Sequence, residues 1–306
     1  MAWEVRMKAI VIGNTTLDVL CYHVDDVPRH DSLLFERALL APGGCGSNVA
    51  VGLAALGITT ALVTTISGDS AYATVEETWR QVGLDDRFVR RIPGAPPAVS
   101  IGLVDSAFQP RFVHTSGANR HLTALDLDVE AYLAWGARAL MVAGFFVLPG
   151  LLDGNLPGVL QQAHLRGLPT YLDVANAKRM DEHPEYLWDC LPCLNTFICN
   201  TPEARRLTGE AHPQQAARSL RNYGVQTAIV KLGADGCWAE SADFSGHIPG
   251  VKVDKVVDTT GAGDAFAAGL IAARLQGQPL PEACAAANAA GAKMVSVQGA
   301  ITAWLS

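Results

Sequence analysis

The sequence predicts an α/β fold with a doubly wound, mainly parallel sheet covered by helices on both faces, and two observations predict it. Short apolar, strand-like runs alternate with helical patterns along most of the 306 residues, and strands that alternate with helices build parallel sheets. Hydrophobic residues make up 49% of the chain and charged residues 17%, enough to fill a core on both faces of a sheet and too apolar for disorder.

In chain order, Lys8 to Ile12 reads as the first buried strand. Ser47 to Leu56 is a small-residue apolar helix ended by Gly57, and Ala61 to Ile66 is the next strand. Further strands are expected at Ala139–Ala143, Thr170–Val174, Thr196–Cys199 and Thr227–Lys231, with helices between them. The small, apolar run Ala267 to Leu275 belongs to a helix that starts near Ala262 and is capped by Gly277. Ligands of such sheets sit beyond the carboxyl ends of the strands. Asn14, Asp173, Asn200 and Gly233 each follow a strand and are expected to face one crevice. Two segments break the alternation. Val19 to Leu40 carries two strand-like stretches with no helix between, and Val99–Val104 with Arg111–His114 reads as a hairpin around Asp105 to Pro110. We therefore expect one domain over 1–306, with a small antiparallel β lid formed by about 14–41 and 97–118. A lid that excludes water keeps an activated phosphate from hydrolysis.

Composition excludes several classes. Net charge is −7 with no Lys/Arg-dense stripe, so no nucleic-acid partner is expected. No apolar run reaches the ~18 residues of a spanning helix, so no membrane is expected either. The chain passes Glu4, Arg6 and Lys8 and enters a strand with no signal-peptide core. Seven cysteines, an odd number in a long chain, fit reduced thiols better than a disulfide framework. Cys190 and Cys193 form one CxxC with no second pair to complete a zinc site. A cytoplasmic location follows as the expectation.

The segment Asp258 to Phe266 carries the chemistry. It places Gly261, Ala262, Gly263 and Asp264 at the mouth of the predicted helix. A helix N-terminus offers unpaired N–H groups and about half a positive charge to an anion, and the two glycines let the backbone approach it closely. A carboxylate beside such a nest repels a phosphate that is only to be bound. It fits if Asp264 takes a proton from a hydroxyl attacking the phosphate while the nest stabilises developing negative charge. The plain alternative is a Gly-rich turn closed by an Asp cap.

Four motifs occur in order: Pro42 to Val51 (PGGCGSNVAV), Asn200 to Glu203 (NTPE), Lys231 to Gly236 (KLGADG) and Asp258 to Asp264 (DTTGAGD). On these the chain resembles the ribokinase-like, or PfkB-type, carbohydrate kinases over essentially its whole length. The resemblance implies transfer of the γ-phosphate of ATP, with Mg²⁺, to a hydroxyl of a sugar or nucleoside, usually a primary alcohol. It implies Asp264 as general base and the backbone of Gly261, Ala262 and Gly263 as anion hole. Asn200 and Glu203 resemble the motif that organises Mg²⁺ through water, a sparse signature that suits a cation which keeps its waters; they equally suit a helix cap, and the two roles can coexist. Lys231, Gly233 and Gly236 resemble the nucleotide loop, and Asn288 lies where family members contact adenine. Asp18, Gly43, Gly44 and Asn48 resemble the sugar-facing residues, and Asn119 is expected to face substrate and phosphate.

The departures bear on the acceptor. Ribokinases carry Asn where this chain has Thr16, many members have Lys or Asn where Cys45 stands, and ribokinases place an acid after the strand that here runs into Gly144, Phe145 and Phe146. The aromatic pair either faces a nucleobase, as in adenosine-kinase-like members, or is core. Asp258 and Thr260, with Gly299, resemble the seat of an activating potassium ion, although Ala303 stands where ribokinases supply a hydroxyl. A sugar is the expected acceptor and a nucleoside the alternative. A phosphosugar, which would use Arg111 and Arg120, and a non-catalytic sugar sensor are the remaining readings. Lid strands that pair with a second copy would make a homodimer.

Overall fold

A computed structural model describes residues 7–106, 110–175 and 177–305. Glu4, Arg6 and the tip of the Asp105–Pro110 loop fall outside them. The first part of the chain contains β1 (Lys8–Gly13), β2 (Thr16–Tyr22), β3 (Arg37–Gly43), α1 (Cys45–Ala55), β4 (Thr59–Ser67), α2 (Ala73–Gln81), β5 (Val89–Ile92), β6 (Val99–Val104) and β7 (Pro110–Thr115). The middle contains α3 (Val129–Trp135), β8 (Ala139–Ala143), α4 (Leu156–Leu165), β9 (Thr170–Asp173), α5 (Ala177–Glu182), α6 (Glu185–Trp188), β10 (Thr196–Asn200), α7 (Thr201–Thr208) and α8 (Pro213–Asn222). The last part contains β11 (Thr227–Lys231), β12 (Cys237–Glu240), β13 (Ser245–Ile248), α9 (Ala262–Leu275), α10 (Leu280–Met294) and α11 (Thr302–Leu305).

Alternation within β1 shows why the large sheet is buried on both faces. Ile10 and Ile12 enter one core layer, with Leu160, Leu172 and Phe197. Ala9 and Val11 enter the other, under α1, α9 and α10. A strand apolar on both sides needs cover on both sides, which parallel crossovers supply. The nine strands run β13-β12-β11-β10-β9-β8-β1-β4-β5, parallel from β11 to β5, with β12 and β13 antiparallel at one edge.

The remaining four strands make a separate small sheet, β3-β2-β6-β7. Its outer pairs, β2–β3 and β6–β7, are antiparallel, whereas β2 and β6 run parallel at its centre. A hairpin turn can join only antiparallel neighbours. Between β2 and β6 the chain makes a long excursion through β3, α1, β4, α2 and β5, so nothing forces them to run opposite ways.

Two expected boundaries move for identifiable reasons. The helix expected from Ser47 begins at Cys45, because Gly44 turns the chain at φ 88° and serves as its N-cap. The strand expected to end at Cys199 continues to Asn200, which pairs with Lys231. Phe145 and Phe146 are core: they are 1% and 0% exposed and pack in the layer away from α9.

Candidate active site

Three structural groups converge at the carboxyl edge of the large sheet: the N-terminus of α9, the start of α1, and the ends of β9, β10 and β11. Gly261 caps α9 in the left-handed region at φ 77°. A Cβ there would lie 2.3 Å from the Ala300 carbonyl oxygen, so only glycine lets the loop pack against the C-terminal segment. Asp258 pins the same loop from below: its Oδ1 accepts from Thr260 N at 2.8 Å and its Oδ2 from Gly299 N at 2.9 Å. Of the expected anion-hole amides, Ala262 N–H reaches back to the Thr259 carbonyl at a long 3.3 Å. The N–H groups of Gly261 and Gly263 have no partner among the described residues, as the first turn of a helix leaves them.

Asp264 lies half-buried in that first turn, and its Oδ2 accepts from Asn48 Nδ2 at 2.8 Å. Burial pushes its carboxyl above the usual range, while the Asn48 amide, the Lys231 ammonium and the Cys45 thiol pull it down. The net direction is upward, so Asp264 is a desolvated carboxyl with raised proton affinity, which suits a group that accepts a proton. Lys231 Nζ lies 3.0 Å from where a Cβ on Gly263 would stand. An ammonium thus stands beside the first turn of α9.

Lys231, Gly233, Gly236 and Asn288, expected on the nucleotide side, line one cleft of about 680 Å³, together with Asn200, Phe266 and a set of small and apolar residues that includes Val251, Val256 and Val295. Gly233, at φ 64°, has nothing within 4 Å of its Cβ position, and Gly236, at φ 94°, lies 2.2 Å from the Ile248 carbonyl oxygen in the same measure. Asn288 lines this cleft, but its Nδ2 donates to the carbonyls of Ile248 and Pro249 at 3.2 and 3.0 Å, so it also ties α10 to β13. Asn200 and Glu203 form a reciprocal capping box: Asn200 N donates to Glu203 Oε2 at 2.7 Å, and Glu203 N donates to Asn200 Oδ1 at 2.9 Å. Glu203 is half-buried, raised by burial and lowered by Lys231. Glu203 is not in the cleft wall itself but is hydrogen-bonded to Asn200, which is, and a carboxylate there with acceptor capacity left fits water-mediated contact with Mg²⁺. Among the described residues no group of three or more His, Cys, Asp or Glu could hold a metal directly.

On the acceptor side, Asp18 rises from β2 and is 7% exposed. Thr16 Oγ1 donates to its Oδ1 at 2.6 Å. Burial, outweighing the Thr16 bond and aided by the Asp264 charge, pushes its pKa up to about 6. A Cβ on Gly43 would sit 2.1 Å from that carboxylate, and one on Gly44 2.6 Å from the Asn14 carbonyl oxygen. The two glycines therefore exist to let backbone and carboxylate approach. The Oδ1 atoms of Asn14 and Asn48 are buried with no partner, and an orphaned buried acceptor costs about 1–3 kcal/mol, which a hydroxyl donor would relieve. Asn119 is different: its Oδ1 accepts from Thr15 N at 3.1 Å and its Nδ2 donates to Thr15 O at 2.9 Å. The structure places it as a clamp on the loop between β1 and β2, with its amide already paired.

Three residues of this site had no assigned role in the sequence. Asp173 is 4% exposed, accepts from Gly144 N at 2.6 Å, and is pushed up to about 7, chiefly by burial. Its place after a strand was the only available signal. Val251 and Val256 lie in a segment without periodicity, which gave none. A larger cleft of about 820 Å³ lies at the opposite edge of the sheet, lined by Arg138, Tyr171 and Arg274 among others, and contains none of the residues above.

A model of the pfkB family of carbohydrate kinases matches residues 7–306. The aminoimidazole riboside kinase of Salmonella typhimurium is 30% identical over 312 residues, covering 97% of this chain and 91% of its own. The ribokinase of Haemophilus influenzae is 29% identical over 308 residues, covering 96% and 94%. In fold, the chain is similar to Arabidopsis thaliana ribokinase complexed with ribose and ATP, with a TM-score of 0.85 at 24% identity over 97% of this chain and 95% of that one.

Proposed function

Because the chain belongs to the pfkB family of carbohydrate kinases, and is therefore an ATP-dependent phosphotransferase acting on an alcohol, we propose that its acceptor is a sugar and that Asp264 is the catalytic base. As Asp264 takes the acceptor's proton, the alcohol oxygen bonds to the γ-phosphorus, the bond from that phosphorus to the β–γ bridging oxygen breaks, and ADP leaves. Mg²⁺, when bound, neutralises phosphate charge. Glu203 and Asn200 are the residues that would orient it through water. The amides of Gly261 and Gly263 and the Lys231 ammonium receive the transferring group. The observation that carries the reading is Lys231 Nζ set against Gly263, with Asp264 one residue on.

On the acceptor side the carboxylate of Asp18 and the orphaned oxygens of Asn14 and Asn48 offer acceptors. That pattern suits a ligand rich in hydroxyl donors. It suits a phosphosugar poorly: Arg111 Nη2 is engaged by the carbonyls of Val24 and Asp25, and Arg120 Nε by that of Gly117. A nucleoside is the second reading, favoured by one observation. Phe112 and His114 stack at 5.6 Å and 13°, and the register Asp18–Ser100–His114 puts them on the lid face that bears Asp18.

The opposite lid face carries an apolar row in register, Leu40–Val19–Ile101–Val113, with Leu40 and Val113 more than half exposed. We assign it to a second copy of the chain. Asp258 and Thr260 stay assigned to a monovalent cation. No helix among the described residues is long and apolar enough to cross a membrane, and the seven cysteines are free thiols, which supports a cytoplasmic enzyme.

The test is a panel of sugars and nucleosides with ATP and Mg²⁺. Turnover of at least one sugar, abolished by Asp264→Asn, is expected. Turnover of nucleosides alone would reverse the order of the two readings, and full activity in Asp264→Asn would remove the base.

A further inference from the structure

Thr15 stands just before β2 and Thr16 opens it. The backbone of Thr15 is clamped on both sides. Its N donates to Asn119 Oδ1 at 3.1 Å, and its carbonyl accepts from Asn119 Nδ2 at 2.9 Å and from Tyr72 Oη at 3.2 Å. Thr15 Oγ1 is also engaged, donating to Thr64 Oγ1 at 3.2 Å. Thr15, Asn119 and Tyr72 are all buried, so the entry to β2 is fixed before any ligand arrives.

Thr16 and Asp18 share one face of β2, since side chains two residues apart on a strand point the same way about 7 Å apart. Buried Thr16 gives its one hydroxyl proton to Asp18 Oδ1 at 2.6 Å. Across the lid Thr16 pairs with Gly43, where a Cβ would lie 2.1 Å from Asp18 Oδ1 and 2.2 Å from Oδ2. The carboxylate therefore leans over a glycine with one oxygen tied to Thr16. Asp18 Oδ2 accepts no hydrogen bond among the described residues.

The neighbours of Asp18 in register, Ala41 on β3 and Ser100 on β6, carry no charge, and His114 on β7 follows Ser100 in the same row. The other charge that bears on it is Asp264 of α9, which with burial pushes the carboxyl up, whereas the Thr16 hydroxyl pulls it down.

We propose that Thr16 is a positioning residue: its hydroxyl fixes Asp18 Oδ1, so that Oδ2 is presented in one orientation to a hydroxyl of the acceptor. The inference rests on the reading above in which Asp18 meets the acceptor. A Thr16 that bound the acceptor directly would leave the titration of Asp18 alone. A Thr16 that only filled the strand would be replaced by valine, which has the same branching and a similar strand preference, without loss.

Thr16→Val removes the hydroxyl and keeps the branching, and Thr16→Ser keeps the hydroxyl. Thr16→Val is expected to raise the acceptor KM about fivefold or more at pH 8, with kcat within about twofold of the parent. At pH 6 the rise in KM should be larger, because loss of the donor moves the ionisation of Asp18 to higher pH and leaves more of the uncharged form. Thr16→Ser should stay within about twofold of the parent in both constants. Carboxyl-carbon NMR of the full-length protein reads the same hold without any acceptor, the Asp18 signal being the one lost in Asp18→Asn. Its titration midpoint should rise in Thr16→Val and return toward the parental value in Thr16→Ser. An unmoved midpoint, a parental KM in Thr16→Val at both pH values, or a serine variant no better than the valine one would overturn the proposal. Should the parent phosphorylate no acceptor in the panel, the kinase reading fails there, while the NMR midpoints still decide whether Thr16 governs Asp18.

Discussion

Asn48 and Asp264 stand 216 residues apart in the chain, and the Nδ2 of the first donates to the Oδ2 of the second at 2.8 Å. This bond joins the start of α1 to the start of α9, and so ties the glycine loop proposed to meet the acceptor to the one proposed to receive phosphate. It also bears on the protonation of the proposed base. Burial raises Asp264 and the Asn48 amide is the strongest force lowering it.

Asn48→Ala should therefore move the acid limb of the rate profile to higher pH. In the proposed reaction the proton is taken by the ionised form of Asp264, and loss of the donor disfavours that form. We expect the loss in kcat to be several-fold larger at pH 6 than at pH 8. An unmoved acid limb in the kcat–pH profile would show that Asn48 has no hold on the base.

Asp18 opposes stability to function. Its pKa is raised from 3.8 to about 6 by burial, so the folded state binds that proton more tightly than the unfolded one. The sign is then fixed: stability falls as pH rises from about 4 to about 6, and above that window the ionised carboxylate destabilises the fold by on the order of 3 kcal/mol. Asp18→Asn should raise Tm at pH 8, leave it nearly unchanged at pH 4, and raise the acceptor KM at least about tenfold through loss of a charged acceptor of hydroxyl donors. Thermal melts at both pH values check the first part and acceptor titrations the second; a Tm lowered at pH 8 would contradict the assignment of the shift to burial.

Gly261 and Gly233 separate strain from collision. Both hold positive φ, 77° and 64°, and an alanine in that region costs about 1–2 kcal/mol. At Gly233 nothing stands within 4 Å of the new methyl, whereas at Gly261 the Ala300 backbone stands 2.3 Å away. Gly261→Ala should lower Tm clearly more than Gly233→Ala and should cut kcat, because the anion hole shifts with the loop. Equal effects on Tm would mean that the C-terminal segment yields freely.

Much of this arrangement was legible before any coordinates. Apolar runs such as Ala139–Ala143 and Thr227–Lys231 have one stable use in a chain of this composition, and the helix at Ala262 announces itself by two glycines before a small apolar face. The parallel pairing of β2 with β6 was not legible, since strand direction depends on the path of the intervening 76 residues, Tyr22 to Val99 excluded. Asn119 shows another limit: a polar residue in a family-like loop looks the same whether its amide is open or, as here, clamped on Thr15. Phe145 and Phe146 could be read either way until the strand end of β8 fixed which side of the sheet they enter. Asp173 needed its register opposite Ile198 before its place on the same face of the sheet as Asn200 and Lys231 could be seen.

Glu203 carries two roles that substitution can divide. Its Oε2 accepts from Asn200 N and so closes the capping box of α7, and its charge is the part that would orient hydrated Mg²⁺. A glutamine keeps an oxygen to accept the same N–H and loses only the charge; burial already disfavours that charge. Glu203→Gln should therefore leave Tm within a few tenths of a kcal/mol equivalent while raising the Mg²⁺ concentration for half-maximal rate several-fold. Glu203→Ala loses the cap as well and should cost about 1 kcal/mol of stability in addition. Melts and Mg²⁺ titrations of the two variants side by side decide the matter. An unchanged Mg²⁺ requirement in both would leave Glu203 a helix cap and move the metal-orienting role to another residue of the crevice.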